Sequence, residues 1–117
     1  MLEKQNIEYE KAILVGVINK QQNEKKVQEY LDELEFLTYT AGGEVLKRFV
    51  QRVDLPNPKT YIGSGKILEI EKYVDENEIG SVIFDDELTA VQQRNIEKNV
   101  LLVCKVHRRF PLVFLQE

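Results

Sequence analysis

Two short segments carry the residue types that could do chemistry: a glycine loop and an acidic turn. The loop, Gly63-Ser64-Gly65-Lys66, joins flexible backbone to a lysine near the predicted start of a helix, an arrangement that can contact an anion. A phosphate-binding P-loop would need glycine where this chain has Thr60 and a hydroxyl where it has Ile67. A Walker-type nucleotide site is therefore excluded, which leaves either a simple anion contact or a plain loop-to-helix transition.

The acidic turn, Asp85-Asp86-Glu87, directly follows a predicted buried strand. Open α/β sheets usually bind ligands at the carboxyl ends of their strands, so Asp85 and Asp86 are candidate ligands for a molecule or for Mg²⁺. A phosphoacceptor domain would also need acidic residues after the first strand, and Ile18-Asn19-Lys20 supplies none. The alternative is that these acids only favour the positive end of the following helix.

The sequence contains no set of residues spaced for covalent or metal catalysis. His107 is the only histidine, and neither Ser64 nor Ser81 has an evident base near it in the sequence. Cys104 is the only cysteine, so it cannot form an intrachain disulfide, which fits a reducing cytoplasm. We predict no catalytic residue, no metal and no resident cofactor in this chain.

Positive charge is concentrated in residues 44–66, which hold five basic and two acidic residues for a net charge of +3. Residues 69–87 hold one basic and eight acidic residues, a net charge of −7. We predict that the basic residues contact RNA phosphates; they are Lys47, Arg48, Arg52, Lys59 and Lys66. The loop expected beside the ligand contains Thr60, Tyr61, Gly63, Ser64 and Gly65. The alternative is a solvated surface with uneven charge.

Aromatic residues could add base contacts to this surface. Tyr39 and Tyr61, if exposed in loops, could stack on an unpaired base, and the alternative for both is packing within the domain.

The elements that must position these residues alternate between strands and helices. Apolar runs predict buried strands at 11–18, 81–84 and 100–106, and helical spacing predicts helices at 22–38, 66–77 and 89–99. Thr89 and Gln92 form a capping-box pattern at the start of the last helix. Residues 44–52 alternate with mixed faces, which predicts an edge strand that places Val45 and Phe49 on one side.

These elements predict an α/β fold: a three-layer sandwich around a mainly parallel four-stranded sheet of order 2-1-3-4, with helices on both faces. The 117 residues are enough for one domain, predicted at 1–106, with an atypical C-terminal tail at 107–117. No apolar run approaches the length of a membrane span, and the oligomeric state stays open.

Several of these signals together resemble the N-terminal domain of the HflX family of ribosome-associated GTPases. The resemblance covers roughly residues 10–98, and the motifs that carry it are Thr40-Ala41-Gly42-Gly43-Glu44, Pro56 and Pro58, Thr60-Tyr61-Ile62-Gly63, Gly65-Lys66, Val82-Ile83-Phe84-Asp85-Asp86-Glu87-Leu88 and Arg94-Asn95-Ile96-Glu97. The chain departs from the family in having Thr89-Ala90 where Ser-Pro is usual. It also departs after the fourth strand, where the family's helical arm and GTPase domain are absent.

The resemblance implies a non-enzymatic module that helps to bind the large ribosomal subunit and its rRNA, in ribosome splitting or rescue under stress. It also implies that GTP and Mg²⁺ belong to the absent GTPase domain. Two alternatives stay open: a domain that binds a nucleotide or small molecule, and a regulatory domain that docks on its own GTPase domain.

Overall fold

The computed structural model describes residues 9–100 and 105–108, with side chains described from residue 9 to residue 98. Strands and helices alternate along this part of the chain. The elements are β1 Glu10–Ile18, α1 Glu24–Thr40, β2 Gly43–Arg52, α2 Ser64–Asn77, β3 Ser81–Phe84, α3 Ala90–Val100 and β4 Lys105–Arg108. The predicted α/β class with a parallel sheet is confirmed.

The strands lie in the order β2-β1-β3-β4, and each neighbouring pair is parallel. The basic strand β2 is at an edge, as its mixed faces predicted. β4 runs across residue 107, where the predicted tail begins, and residues 109–117 lie outside the described residues, as does Cys104. The predicted division between domain and tail stays a prediction.

Two apolar clusters cover the two faces of the sheet, because alternate residues of β1 point in opposite directions. On one face Leu14 and Ile83 pack with Val27 and Leu31 of α1. On the other face, residues of α2 and α3 pack against the sheet in a cluster that includes Ile13, Val15, Phe49, Ile67, Ile70, Val82, Phe84 and Ile96. Helices on both faces are therefore confirmed.

Helix α1 approaches β1 closely at Gly16. A methyl group built at Gly16 would lie 2.9 Å from Cγ1 of Val27 and 3.1 Å from Cδ1 of Leu31. Glycine lets the helix and the strand pack at this distance. The same helix ends at Thr40, and two residues later Gly42 has a φ of +100°, a conformation that glycine adopts without strain.

Strand β2 departs from simple alternation. The sequence pattern predicted Val45 and Phe49 on one side of the strand. The register between β1 and β2 shifts between Ala12 and Ile13, which leaves Leu46 as the extra residue of a β-bulge. Val45 therefore packs towards α1 while Phe49 lies in the opposite cluster. The prediction for Val45 was wrong because a bulge resets the two-residue period.

The capping box that the sequence predicted for α3 is confirmed. The backbone N–H of Gln92 donates to Oγ1 of Thr89 at 3.0 Å, and the backbone N–H of Thr89 donates to Oε1 of Gln92 at 2.9 Å. Helix α2 begins at Ser64, two residues before the predicted start. Among the described residues, no helix combines the length and the apolar character needed to cross a bilayer.

Candidate nucleic-acid interface

The β2–α2 loop comprises residues 53–63 and lies along the edge of the sheet that the carboxyl ends of the strands form. β1, β2 and β3 are parallel, so their carboxyl ends share this edge. The loop is tied to this edge at its start, because the N–H of Val53 donates to the carbonyl of Ile18 at 2.9 Å. Near its other end the phenol of Tyr61 donates to a carboxylate oxygen of Asp86, just after β3. The predicted loop residues and the acidic turn are therefore neighbours in the fold.

Tyr61 anchors the loop from inside. Its side chain is only 5% exposed, and its ring meets that of Phe84 edge-on with centroids 6.1 Å apart. Its backbone has a positive φ of 71°, which is unusual for a residue with a side chain. Burial raises the pKa of the phenol, and the hydrogen bond and charge of Asp86 raise it further. Tyr61 is therefore a packing residue and presents no ring for an unpaired base.

The tip of the loop is closed by its own backbone. The N–H of Tyr61 donates to the carbonyl of Asn57 at 2.7 Å, and the N–H of Asn57 donates back to the carbonyl of Tyr61 at 3.1 Å. The side-chain oxygen of Asn57 accepts from the N–H of Lys59 at 2.8 Å, which forms an Asx turn. These bonds fix the direction in which the chain leaves the turn at Lys59.

Side chains from α3 and β2 hold the loop from outside. Nε2 of Gln92 donates to the carbonyl of Asn57 at 2.8 Å, and Nδ2 of Asn95 donates to the carbonyl of Lys59 at 3.0 Å. The N–H of Gly63 donates to Oε1 of Gln51 at 3.0 Å. Sequence reasoning identified Gln92 only as a capping residue and missed this second role. Partners 35 and 36 residues away leave no local signal in the sequence.

A groove of about 640 Å³ lies between the end of β2 and this loop. Its lining is mostly apolar and includes Arg52, Val53, Leu55, Pro56, Pro58 and Ile62. Leu55 is 88% exposed, and both prolines are exposed as well. Apart from the two prolines of the loop, no local pattern of residues predicts this groove.

Two of the predicted phosphate-binding residues lie at the groove. Arg52 lines it, and Lys59 directly follows Pro58 of its wall. Both side chains are exposed, and within residues 9–98 no ion pair involves either one. Lys47 lies elsewhere on β2, with Nζ 5.0 Å from the ring centroid of Phe49 and 5.2 Å from that of Tyr73. The structure thus places Arg52 in the lining of the groove and Lys59 next to that lining in the chain, while Lys47 lies outside it.

The remaining two predicted cations are engaged by acids. The guanidinium of Arg48 pairs with Asp32 at 2.7 Å and with Glu35 at 3.0 Å, which ties β2 to α1. Nζ of Lys66 lies 3.4 Å from Glu69 within α2. A phosphate would compete with these carboxylates for both side chains.

The glycine segment forms the beginning of α2. Gly63 is the N-cap residue and provides no side-chain hydrogen bond, while Ser64 and Gly65 are exposed in the first turn. The hydroxyl of Thr60 donates to the carbonyl of Ile62 at 2.9 Å, so it is occupied within the loop. Ser64 and Gly65 are therefore the members of this segment that face solvent.

The acidic turn has its own internal contacts. Asp86 accepts from the phenol of Tyr61 and, at 2.7 Å, from the N–H of Glu87. Burial raises the pKa of Asp85 to about 6, and the neighbouring charge of Asp86 contributes to the same shift. In the part of the chain that the structure describes, no three His, Cys, Asp or Glu side chains are arranged to hold a metal ion.

Comparisons with known proteins agree on one family. The family described as GTP-binding GTPase N-terminal matches residues 28–114. The GTPase HflX of Flavobacterium psychrophilum is 57% identical over 113 residues, which is 97% of this chain and 27% of that protein. The GTPase HflX of Escherichia coli K12 is 36% identical over 104 residues, which is 89% of this chain and 23% of that protein. The chain thus spans about a quarter of the length of these relatives.

A solved structure shares the fold. The crystal structure of a mutation variant of SsGBP aligns with a TM-score of 0.59 over 83% of this chain and 28% of that one. The identity is 21%, so this likeness concerns the fold alone.

Proposed function

This chain belongs to the HflX family of GTPases and corresponds to the N-terminal domain of those proteins. We propose that it is a non-catalytic module for binding the large ribosomal subunit. The proposal places GTP, Mg²⁺ and hydrolysis in the three quarters of the relatives that this chain does not match. The module would act in the cytoplasm, in splitting or rescuing stalled ribosomes under stress. Its ligand there is rRNA.

One observation carries the proposal: two exposed cations, Arg52 at the end of β2 and Lys59 in the β2–α2 loop, lie in a region whose backbone is held by several hydrogen bonds. Arg52 and Lys59 have no ion-pair partner within the described side chains, so no protein carboxylate has to be displaced when a phosphate binds. Gln92 and Asn95 fix the backbone beside Lys59, so little conformational entropy is lost on binding. Lys47 and Lys66 would add contacts at the flanks, and Ser64 and Gly65 would lie near the RNA.

The test is co-sedimentation of this chain with purified large ribosomal subunits across a series of salt concentrations. We expect binding that weakens steeply with salt, and its loss in the double variant Arg52→Glu/Lys59→Glu. The matched control is Lys25→Glu/Lys26→Glu, which makes the same charge change at exposed positions of α1. Equal loss in both variants would contradict a specific surface, and binding that ignores salt would contradict the phosphate mechanism.

The two alternative functions predict different results. A nucleotide-binding domain should gain thermal stability with ATP or GTP plus Mg²⁺, by about 2.7 kcal/mol at a hundredfold excess over the dissociation constant. A regulatory domain should change the turnover of a separately added HflX GTPase domain. Either result, if the chain does not bind the large subunit, would favour that alternative function over ribosome binding.

A further inference from the structure

We propose that the groove beside the β2–α2 loop binds an unpaired nucleotide of single-stranded RNA. This inference rests on the proposed function and narrows it, because it names the form of RNA that the surface takes. The base would lie against the apolar walls, and the phosphates would meet the two cations at the rim.

The lining of the groove fits a base and a phosphate together. The groove has exposed apolar surface on Leu55, Pro56 and Pro58. Contact of this surface with water is unfavourable, so covering it with a flat base lowers the free energy. Arg52 lines the same groove, and a guanidinium can stack on a base plane or bind a phosphate. Lys59 follows Pro58 and supplies a second positive charge. A negatively charged ligand is therefore favoured, and a nucleotide combines a negatively charged phosphate with the flat, largely apolar face of its base.

The groove is already in shape before a ligand arrives. Gln92 holds the carbonyl of Asn57, Asn95 holds that of Lys59, and Tyr61 is anchored on Asp86. A preorganised wall loses less entropy on binding than a mobile loop does.

A recessed groove favours single strands over duplex. In an A-form duplex the bases are stacked and paired, so their faces cannot enter a concave site, and only the backbone is offered. An unpaired base can turn out of the strand while its phosphates stay at the rim. The groove therefore predicts a preference for loops, bulges or ends of RNA.

Fluorescence anisotropy with labelled RNA of about ten nucleotides tests the inference on the intact chain. Three probes are compared at one salt concentration: a single strand, the same strand with abasic residues, and a duplex. We expect the single strand to bind about tenfold more tightly than the abasic strand, since the apolar contact of the base with Leu55 and the prolines supplies that difference. Equal affinity for the abasic strand or for the duplex would overturn the inference.

Variants at exposed leucines separate the groove from general surface effects. Leu55→Ser should bring the single strand down to the affinity of the abasic strand, while leaving the abasic strand unchanged. Leu68→Ser is the control, because Leu68 is 63% exposed on α2 and outside the lining of this groove. Both positions are exposed, so thermal unfolding should be unaffected in both variants. The same loss in both variants would overturn the assignment to the groove.

Other occupants give distinct results. An acidic, leucine-containing peptide that binds in a Leu55-dependent way while RNA does not would overturn the inference, as would a dimer that Leu55→Ser dissociates. If subunit binding depends on Arg52 and Lys59 but Leu55→Ser changes no RNA affinity, only the groove inference fails. If neither subunits nor RNA bind, the proposed function fails with it.

Discussion

At the scale of single residues, the contact between α1 and β1 leaves no room for a side chain at Gly16. Gly16→Ala would place a methyl group 2.9 Å from Val27 and 3.1 Å from Leu31, both in the core. Overpacking of this kind costs about 1–3 kcal/mol, because neighbouring side chains or the helix must move. We expect the free energy of unfolding in urea to fall by that amount.

The matched control for Gly16→Ala is Gly65→Ala. No atom lies within 4 Å of a methyl group built at Gly65, which is in the first turn of α2. Alanine is the better helix former by roughly 0.5–1 kcal/mol, so this variant should be neutral or slightly more stable. Similar destabilisation by both substitutions would contradict the close packing at Gly16.

Asp85 should make stability depend on pH. Its pKa in the folded chain is raised to about 6 from an ordinary value of 3.8, first by burial and then by Asp86. Between these pH values the folded chain keeps a proton that the unfolded chain has lost, so stability falls as pH rises towards 6. Asp85→Asn removes this cost, so its stability relative to the unmodified chain should be higher at pH 7.5 than at pH 3.5.

Urea unfolding of both chains at several pH values measures this dependence. Asp75→Asn is the control, since Asp75 is exposed on α2. It should leave the pH profile close to that of the unmodified chain. A stability difference for Asp85→Asn that stays constant between pH 3.5 and 7.5 would contradict the raised pKa.

At the scale of elements, the start of α3 and the β2–α2 loop share one side chain. Thr89→Ala removes half of the capping box and should cost about 1 kcal/mol of stability. Gln92→Ala removes the other half and also the bond to the carbonyl of Asn57, which adds roughly 1 kcal/mol. Urea unfolding should therefore rank Gln92→Ala below Thr89→Ala.

Hydrogen exchange separates the two effects at the start of α3. Only Gln92→Ala should speed amide exchange in the β2–α2 loop, while both variants should speed it in the first turn of α3. Thr89→Ser keeps a hydroxyl and serves as the control, with little change expected in either region. Faster loop exchange in Thr89→Ala, to the same extent, would show that Gln92 acts on the loop only through the cap.

These elements also show what a sequence can predict. The capping box was predictable because Thr89 and Gln92 are three residues apart, and the alternation of strands and helices follows from local periodicity. The bulge at Leu46 was not predictable, because it is defined by pairing with β1. Tyr61 and Arg48 look exposed and functional in the sequence, and their partners at Asp86 and Glu35 are distant along the chain. Local patterns thus predict elements, whereas side-chain roles at the interface depend on contacts that only the fold creates.

At the scale of the whole molecule, charge is divided between two regions. The net charge of −4 repels RNA at long range, so we expect binding to proceed through a locally basic surface, that of residues 44–66. We expect four of the five basic side chains in residues 44–66 to contact phosphates: Lys47, Arg52, Lys59 and Lys66. Arg48 is left out because its guanidinium is shared between two carboxylates of α1. Each contact contributes a slope of about −0.7 to −0.9 in a plot of log affinity against log salt, which gives roughly −3 in total.

Single substitutions measure how much each cation contributes to that slope. Lys59→Ala should make the slope less steep by about one unit and leave thermal unfolding unchanged, because its side chain is exposed and makes no ion pair within residues 9–98. Arg48→Ala should do the reverse: the slope stays, and stability falls by about 0.5–1 kcal/mol as the contact between β2 and α1 is lost. Subunit co-sedimentation and thermal unfolding measured on the same variants decide this. If Arg48→Ala reduced the slope as much as Lys59→Ala, RNA would have to displace Asp32 and Glu35, and α1 would then belong to the interface.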